Sequence, residues 1–507
     1  MFFDLKSAAV VGLKSRPVSI EVDISGSWPA FQIIGLPNTA VQEAKERIRV
    51  AWKNSGFSFP NNKRIIINLA PADIRKQGTA FDLPMAIGLF LAENDLDIDL
   101  SDSLFIGELA LDGKVRHTSG VLPIAIFAKE NNINNLFVPE KNAQEAAIIK
   151  GVSVYPIKNL KQILDHIQGK EKIEPIKCNN QKELLEYSDS HDVEISQIKG
   201  QSFAKRALEI AASGNHNILL NGPPGAGKTM LAKSFPSILP KLSFDEAIEV
   251  SKVYSVADEL PEDKPIITKR RFRSPHHSSS SSSLVGGGRI PSPGEISLAH
   301  KGVLFLDEFP EFPREAIENL RQPLEEGRIT ISRTESRHTF PADFILIASQ
   351  NPCPCGFATD SEQSCSCTPG QIKRYNKKVS GPIKDRIDIY VEVSRVKYDK
   401  LTQEKKTEKS KEVRKRVERA RARQTKRFEQ EDYRTNSQMS NKDIKEYCQV
   451  GEQSDQLLEQ AVNKMNLSAR GYHRVLKLAR TIADLEQSED IETPHVAEAL
   501  QYRENKS

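Results

Sequence analysis

The sequence predicts a multidomain α/β protein built around a P-loop parallel sheet and ending in helices, and three observations predict it. First, the apolar run Ile218-Leu219-Leu220 leads directly into Gly222-Pro223-Pro224-Gly225-Ala226-Gly227-Lys228-Thr229, the pattern of a strand, a glycine-rich turn and a helix start. Second, Val303-Leu304-Phe305-Leu306 and Phe344-Ile345-Leu346-Ile347-Ala348 are short apolar runs that end in polar residues. Buried parallel strands read this way where a sheet presents functional groups at its C-terminal edge. Third, the chain beyond about residue 399 is charged and helical in pattern.

Taken in order, residues 1–168 alternate β-like runs (Ser19 to Ile24, Arg64 to Leu69, Leu136 to Pro139) with helical stretches (Thr39 to Ser55, Pro84 to Ala92). They predict a first α/β domain. Residues 169–192 are polar and charged and read as a linker. Residues 193–398 form the P-loop domain, and 399–507 a basic helix followed by a helical lid. A length of 507 residues accommodates about three such domains. The only low-complexity tract is Ser278 to Ser283.

Composition excludes several classes. With 38% hydrophobic and 28% charged residues the chain is globular rather than disordered or membrane-embedded. Its longest apolar stretch, Leu83 to Ala92, is too short to span a bilayer. The start Met-Phe-Phe-Asp-Leu-Lys lacks a secretory pattern, so a cytoplasmic protein without a membrane partner is expected. A net charge of +4 is uninformative about nucleic acid, but residues 401–430 carry twelve Lys/Arg against five Glu. That basic stretch predicts either a solvated connecting helix or a contact with DNA or a neighbouring subunit.

The glycine-rich turn predicts ATP as ligand. Glycines let backbone N–H groups converge on phosphates, and the helix start adds its positive dipole end. Lys228 is expected to reach the β and γ phosphates and Thr229 to hold Mg²⁺. The nucleotide-binding set is Gly222, Pro223, Pro224, Gly225, Ala226, Gly227, Lys228, Thr229 and Met230. Asp307, ending the second apolar run, is expected in the Mg²⁺ shell, with Glu308 polarising the attacking water. Asn351 closes the third run and is placed to bond the γ-phosphate or the water.

Six cysteines are too few for a disulfide framework, yet four of them fall in Cys353-Pro354-Cys355 and Cys365-Ser366-Cys367. Four thiolates can close a tetrahedral site and pin a loop too short for its own core, so a structural Zn²⁺ is expected at Cys353, Cys355, Cys365 and Cys367.

With Gly294-Glu295-Ile296-Ser297-Leu298-Ala299-His300, Asn351-Pro352-Cys353-Pro354-Cys355-Gly356 and Ser468-Ala469-Arg470-Gly471-Tyr472-His473-Arg474, these motifs make the chain resemble the YifB/ComM family of magnesium-chelatase-like AAA+ ATPases over nearly its whole length. The resemblance implies a ring, a hexamer, in which Arg386 acts on the neighbouring subunit's ATP. It implies that Arg470 senses the γ-phosphate from the lid, a role open also to Arg474. It further implies two insertions, Ser274 to Pro293 and a hairpin over Gly327 to Pro341. The hairpin sequence alternates in the strand manner and turns at about Thr334 to Ser336, so Arg333, Arg337 and His338 are expected near its tip as DNA contacts.

The N-terminal domain resembles the Lon-type protease fold through Gly78-Thr79-Ala80-Phe81-Asp82-Leu83-Pro84 and Gly107 to Val115. Active proteases of that type use Ser and Lys, whereas Ala80 and Leu122 occupy those positions here, so no peptidase is expected. Arg75 and Lys76 are consistent with a nucleic-acid contact or a solvated loop. The function the resemblance implies is a DNA translocase or branch-migration helicase working on single-stranded or branched DNA. A magnesium-chelatase-type motor subunit and a protein-remodelling ATPase are the alternatives.

Overall fold

The computed structural model describes residues 2–503 apart from 27, 74, 75, 77, 177–190, 262–263, 289–290, 334–335, 361 and 397–406. Arg75, most of the expected linker and the first residues of the basic stretch therefore lie outside the described residues.

The N-terminal sheet contains β1 (Phe2–Val11), β2 (Lys14–Ser25), β3 (Ala30–Ile34), β4 (Arg64–Ala70), β5 (Ser103–Phe105), β8 (Asn135–Pro139) and β9 (Ser153–Ile157), in the order β3-β4-β2-β1-β5-β8-β9. The two-residue strands β6 (Glu108–Leu109) and β7 (Val115–Arg116) pair separately. Alternate residues of β2, Val18, Ile20, Val22 and Ile24, are buried, the period expected of a sheet with one covered face. Helix Thr39–Asn54 begins at Asn38, whose side chain accepts from Val41 N. Its buried residues Val41, Ala44, Ile48, Ala51 and Trp52 fall three and four apart, one stripe laid on the core. Helix Asp82–Asn94 is apolar on every side because it runs through the core.

The second sheet is wholly parallel and has the order β11-β14-β17-β10-β18, from β10 (Ile218–Asn221), β11 (Phe272–Arg273), β14 (Val303–Leu306), β17 (Ile345–Gln350) and β18 (Ile389–Glu392). Between these lie the short pair β12 (Gly286–Gly287) and β13 (Ser292–Pro293), and the hairpin β15 (Arg328–Arg333) and β16 (Ser336–Pro341). Strands β10, β14 and β17 are apolar up to their C-terminal ends because both faces are covered. Ile218, Leu220, Val303, Phe305, Ile345 and Ile347 share a core with the C-terminal helices. Leu219, Leu304, Leu306, Leu346 and Ala348 point the other way, towards the hairpin and the helix Gly381–Lys384.

The basic helix Ser410–Arg427 lays one face on the core and leaves Lys411, Lys415, Arg419 and Lys426 exposed. Val413, Val417 and Ala420 are buried in the core that also holds Val475, Leu478 and Ile482 of helix Ala469–Leu485. Its cations are used inside the chain: Arg416 pairs with Glu209, Arg421 donates to the Ala212 carbonyl, Arg414 to that of Ser237, and Arg427 pairs with Asp484. Part of the charge surplus read from the sequence is thus used within the fold.

The N-terminal domain is joined to the second sheet through helix Phe244–Ala257. Gly120 N donates to Ser255 O at 2.9 Å, and His117 meets Asp258 at 2.9 Å. Leu13, in the turn between β1 and β2, packs against apolar residues of the second domain.

Candidate nucleotide site

The phosphate loop leaves β10 at Asn221, in the sheet between β17 and β18. Gly222 N donates to the Gln350 carbonyl at 3.2 Å, and a Cβ on Gly222 would lie 2.1 Å from the Val393 carbonyl oxygen. No side chain fits there. Gly225 and Gly227 take φ of +76° and +89°, the left-handed turn that opens helix Lys228–Ser234. Lys228 is buried, its ammonium bonded to the carbonyls of Gly222 and Pro223 and to Asn351 Oδ1, the last two at 3.0 Å. Burial lowers its pKa, with the Asp307 and Glu308 charges opposing. Met230 follows with an exposed side chain.

Neighbouring strands bring in the acids. Thr229 Oγ1 donates to Asp307 Oδ2 at 2.9 Å, and the Ser349 hydroxyl donates to the other carboxylate oxygen. Glu308 N donates to Asp307 Oδ1 at 3.1 Å and Ser349 Oγ at 3.2 Å. Glu308 itself has φ +52°, a left-handed conformation seldom taken outside glycine. Its half-exposed carboxylate lies 3.4 Å from His277 Nδ1. His277 had no assigned role in the sequence reading. It reaches Glu308 because β11, four residues before it, is the neighbour of β14, an adjacency set by sheet order.

The three arginines separate. Arg386 is only 11% exposed and pairs with Glu325, not with the adjacent Asp385 or Asp388. Among the described residues no hydrogen bond or ion pair joins it to its own phosphate loop. Arg474 docks the last long helix on the sheet, donating to the Ile387 carbonyl at 3.0 Å and lying 3.7 Å from Asp388. Arg470, one turn earlier and behind the Ser468 cap, is exposed.

The four thiols converge. All four Sγ atoms lie within 4.8 Å of one another, with Cys353 to Cys355 at 3.3 Å and Cys365 at 3.6 Å from each. They are free of disulfides. A tetrahedral ion with bonds of about 2.3 Å sets sulfurs about 3.8 Å apart, so the donor set fits one zinc.

Similarity to known proteins agrees with this geometry. The model of the family "Magnesium chelatase, subunit ChlI" matches residues 194–401, that of "Subunit ChlI of Mg-chelatase" residues 20–142, and the ChlI C-terminal model residues 407–503. The chain is 43% identical to the competence protein ComM of Haemophilus influenzae over 501 residues, covering 98% of this chain and 96% of ComM. It is 40% identical to the uncharacterized protein YifB of Escherichia coli at the same coverage. It belongs to the YifB/ComM family of magnesium-chelatase-like AAA+ proteins. Similarity to the magnesium-chelatase 67 kDa subunit of Chlorobaculum parvum is 25% over 162 residues, 32% of this chain and 23% of that one.

Membership of this AAA+ family implies ATP and Mg²⁺. Thr229 Oγ1 and Asp307 offer the oxygen-only ligands that Mg²⁺ prefers, beside the loop that would hold the phosphates. No helix among the described residues is long and apolar enough to cross a membrane.

The hairpin departs from expectation. Neighbouring residues of a strand face opposite sides, so Arg337 and His338 do not cluster. Ile331, the cross-strand partner of His338, is buried, and a Cβ on Gly12 of the β1–β2 turn would lie 3.5 Å from the His338 ring. His338 therefore faces inward, whereas Arg337 is exposed on the outer face. The Arg333 side chain lies outside the described residues. In the N-terminal domain Lys76 is buried with its ammonium on the Pro71 carbonyl, which removes it as a surface contact. Leu122 is buried and Ala80 packs against the same apolar cluster.

Proposed function

We propose that this protein is an ATP-hydrolysing ring motor, a hexamer, that acts on single-stranded or branched DNA as a branch-migration helicase or translocase. One observation carries the ATPase part: Lys228, Thr229, Asp307, Glu308 and Asn351, from three adjacent strands, meet within hydrogen-bond reach at one sheet edge. Lys228 and the loop N–H groups hold the phosphates. Thr229 and Asp307 hold Mg²⁺, which when bound neutralises charge building on the phosphates. Glu308 takes the proton of the attacking water, and His277 positions its carboxylate. Asn351, tied to Lys228, orients the γ-phosphate. Arg386 serves the neighbouring subunit's ATP, and exposed Arg470, rather than docked Arg474, reaches the phosphate from the lid.

For the substrate, full-length likeness to a competence protein and the outward Arg337 favour DNA over the tetrapyrrole chemistry of chelatases, to which the likeness spans only 162 residues. The thiol cluster takes a structural Zn²⁺, and the absence of disulfides among the described cysteines fits the reducing cytoplasm. ATPase and fork-unwinding assays with single-stranded and branched DNA, with Lys228→Ala as control, test the reading. Wild type should hydrolyse ATP faster with DNA and unwind forks. Hydrolysis indifferent to DNA, with no DNA binding, sinks the helicase assignment and leaves a chelatase or protein-remodelling motor.

A further inference from the structure

Resting on the ATPase reading above, we infer that the zinc-loaded cysteine cluster braces the phosphate loop, so that nucleotide affinity depends on the metal. Three contacts tie the cluster to the nucleotide site. Cys353, fully buried, comes two residues after Asn351, whose side chain accepts from Lys228 at 3.0 Å. Gly356, at φ +88°, lies so close to the loop that a Cβ on it would sit 2.6 Å from Pro224 Cδ and 2.8 Å from its Cγ. Arg395 straps both sides: its guanidinium is 3.1 Å from the Asp360 carboxylate, 3.5 Å from the Pro224 carbonyl and 5.6 Å from the centre of the Phe357 ring.

The segment that makes these contacts is held within itself only by turn hydrogen bonds such as those of Glu362 N and Gln363 N to Asp360 Oδ1. Its described residues between Cys355 and Thr368 form no helix or strand, and the only other buried polar anchor is Asp360, 2% exposed. The four sulfurs are its core. They stand too close together to straddle a multi-iron cluster, and one tetrahedral ion satisfies all four. Loading releases thiol protons to solvent and exchanges them for four metal–sulfur bonds. With the ion in place Gly356 and Asp360 are fixed, and Pro224 is pressed from one side while its carbonyl is held from the other. Pro224 is the third residue of the phosphate loop, so its position sets the curl of the N–H groups that follow. Without the ion, loop conformers that cannot cradle phosphate become accessible and affinity falls by the fraction they occupy.

The experiment uses the full chain and a fluorescent ATP analogue, with metal measured by plasma mass spectrometry. Purified protein should hold about one zinc per chain. Stripping the metal under reducing conditions should raise the dissociation constant roughly tenfold, and added zinc should restore it. Cys365→Ser with Cys367→Ser should reproduce the stripped state. Arg395→Ala should retain zinc and still weaken binding, since it removes the strap between Asp360 and the Pro224 carbonyl. Absence of metal, or a stripped protein that binds at wild-type affinity, overturns the inference while leaving the ATPase reading intact. If the double variant fails to fold, stripping and reloading of wild type decides. A wild type that binds no nucleotide overturns the ATPase reading and this one with it.

Discussion

Glu308 sits in a left-handed conformation that costs a side-chain-bearing residue on the order of 1 kcal/mol. The bonds from its own N–H to Asp307 and Ser349 hold it there, which turns its carboxylate away from the Asp307 shell and towards His277. Two adjacent acids thereby acquire different surroundings, one ligand-like and one free to take a proton. Glu308→Gln should keep nucleotide affinity within about twofold while turnover falls at least about a hundredfold, the usual scale for losing a general base. Equilibrium binding and steady-state hydrolysis measured on the same preparation check this; undiminished turnover would mean that the base lies elsewhere.

Two elements carry predictions of their own. The hairpin β15–β16 offers Arg337 outward. Arg337→Ala should weaken binding of single-stranded DNA and lower the slope of log affinity against log salt by about one. Fluorescence anisotropy across a salt series reads both, and an unchanged slope would remove the hairpin from the DNA surface. The second element is the junction between the last long helix and β18. Burial works against the charge on Asp388, yet the His216 hydrogen bond and the Arg474 and Lys477 charges hold its pKa well below the ordinary carboxylate range. A folded pKa below the unfolded value means stability present above about pH 4 and lost as pH falls from there towards the folded pKa. Asp388→Asn should cost about 1–3 kcal/mol at pH 7. Urea titrations should show that deficit shrinking below about pH 4, and a deficit that persists unchanged would show that the charge is not its source.

At the scale of the whole molecule, Arg386 pairs with Glu325, and the proposed trans role requires it to exchange that contact for a neighbour's phosphate. If the site is shared between subunits, Lys228→Ala and Arg386→Ala should each abolish most hydrolysis alone. A mixture of the two should recover part of it, since a Lys228→Ala subunit still presents its arginine to an Arg386→Ala neighbour that still binds ATP. Hydrolysis by the mixture no greater than the sum of the separate variants would place the whole site within one chain.

The α/β class was legible because buried parallel strands are short apolar runs with polar ends, and the glycines of residues 222–227 have no other ready use. Lys228, Thr229, Asp307, Glu308, Asn351 and the four cysteines stood out because each lies beside a strand end or a repeated spacing. His277 and Arg395 did not, since each earns its place only from a strand or loop remote in sequence. In the basic helix, a count of charges does not say which of the cations the fold has already paired, as it has Arg416, Arg421 and Arg427. By itself, then, the sequence determined which residues can do chemistry, because residue type and local spacing are local properties. Only the tertiary structure decided which of them meet, which cations are consumed internally, and that the thiol cluster leans on the phosphate loop, because those follow from sheet order and packing between segments far apart in the chain.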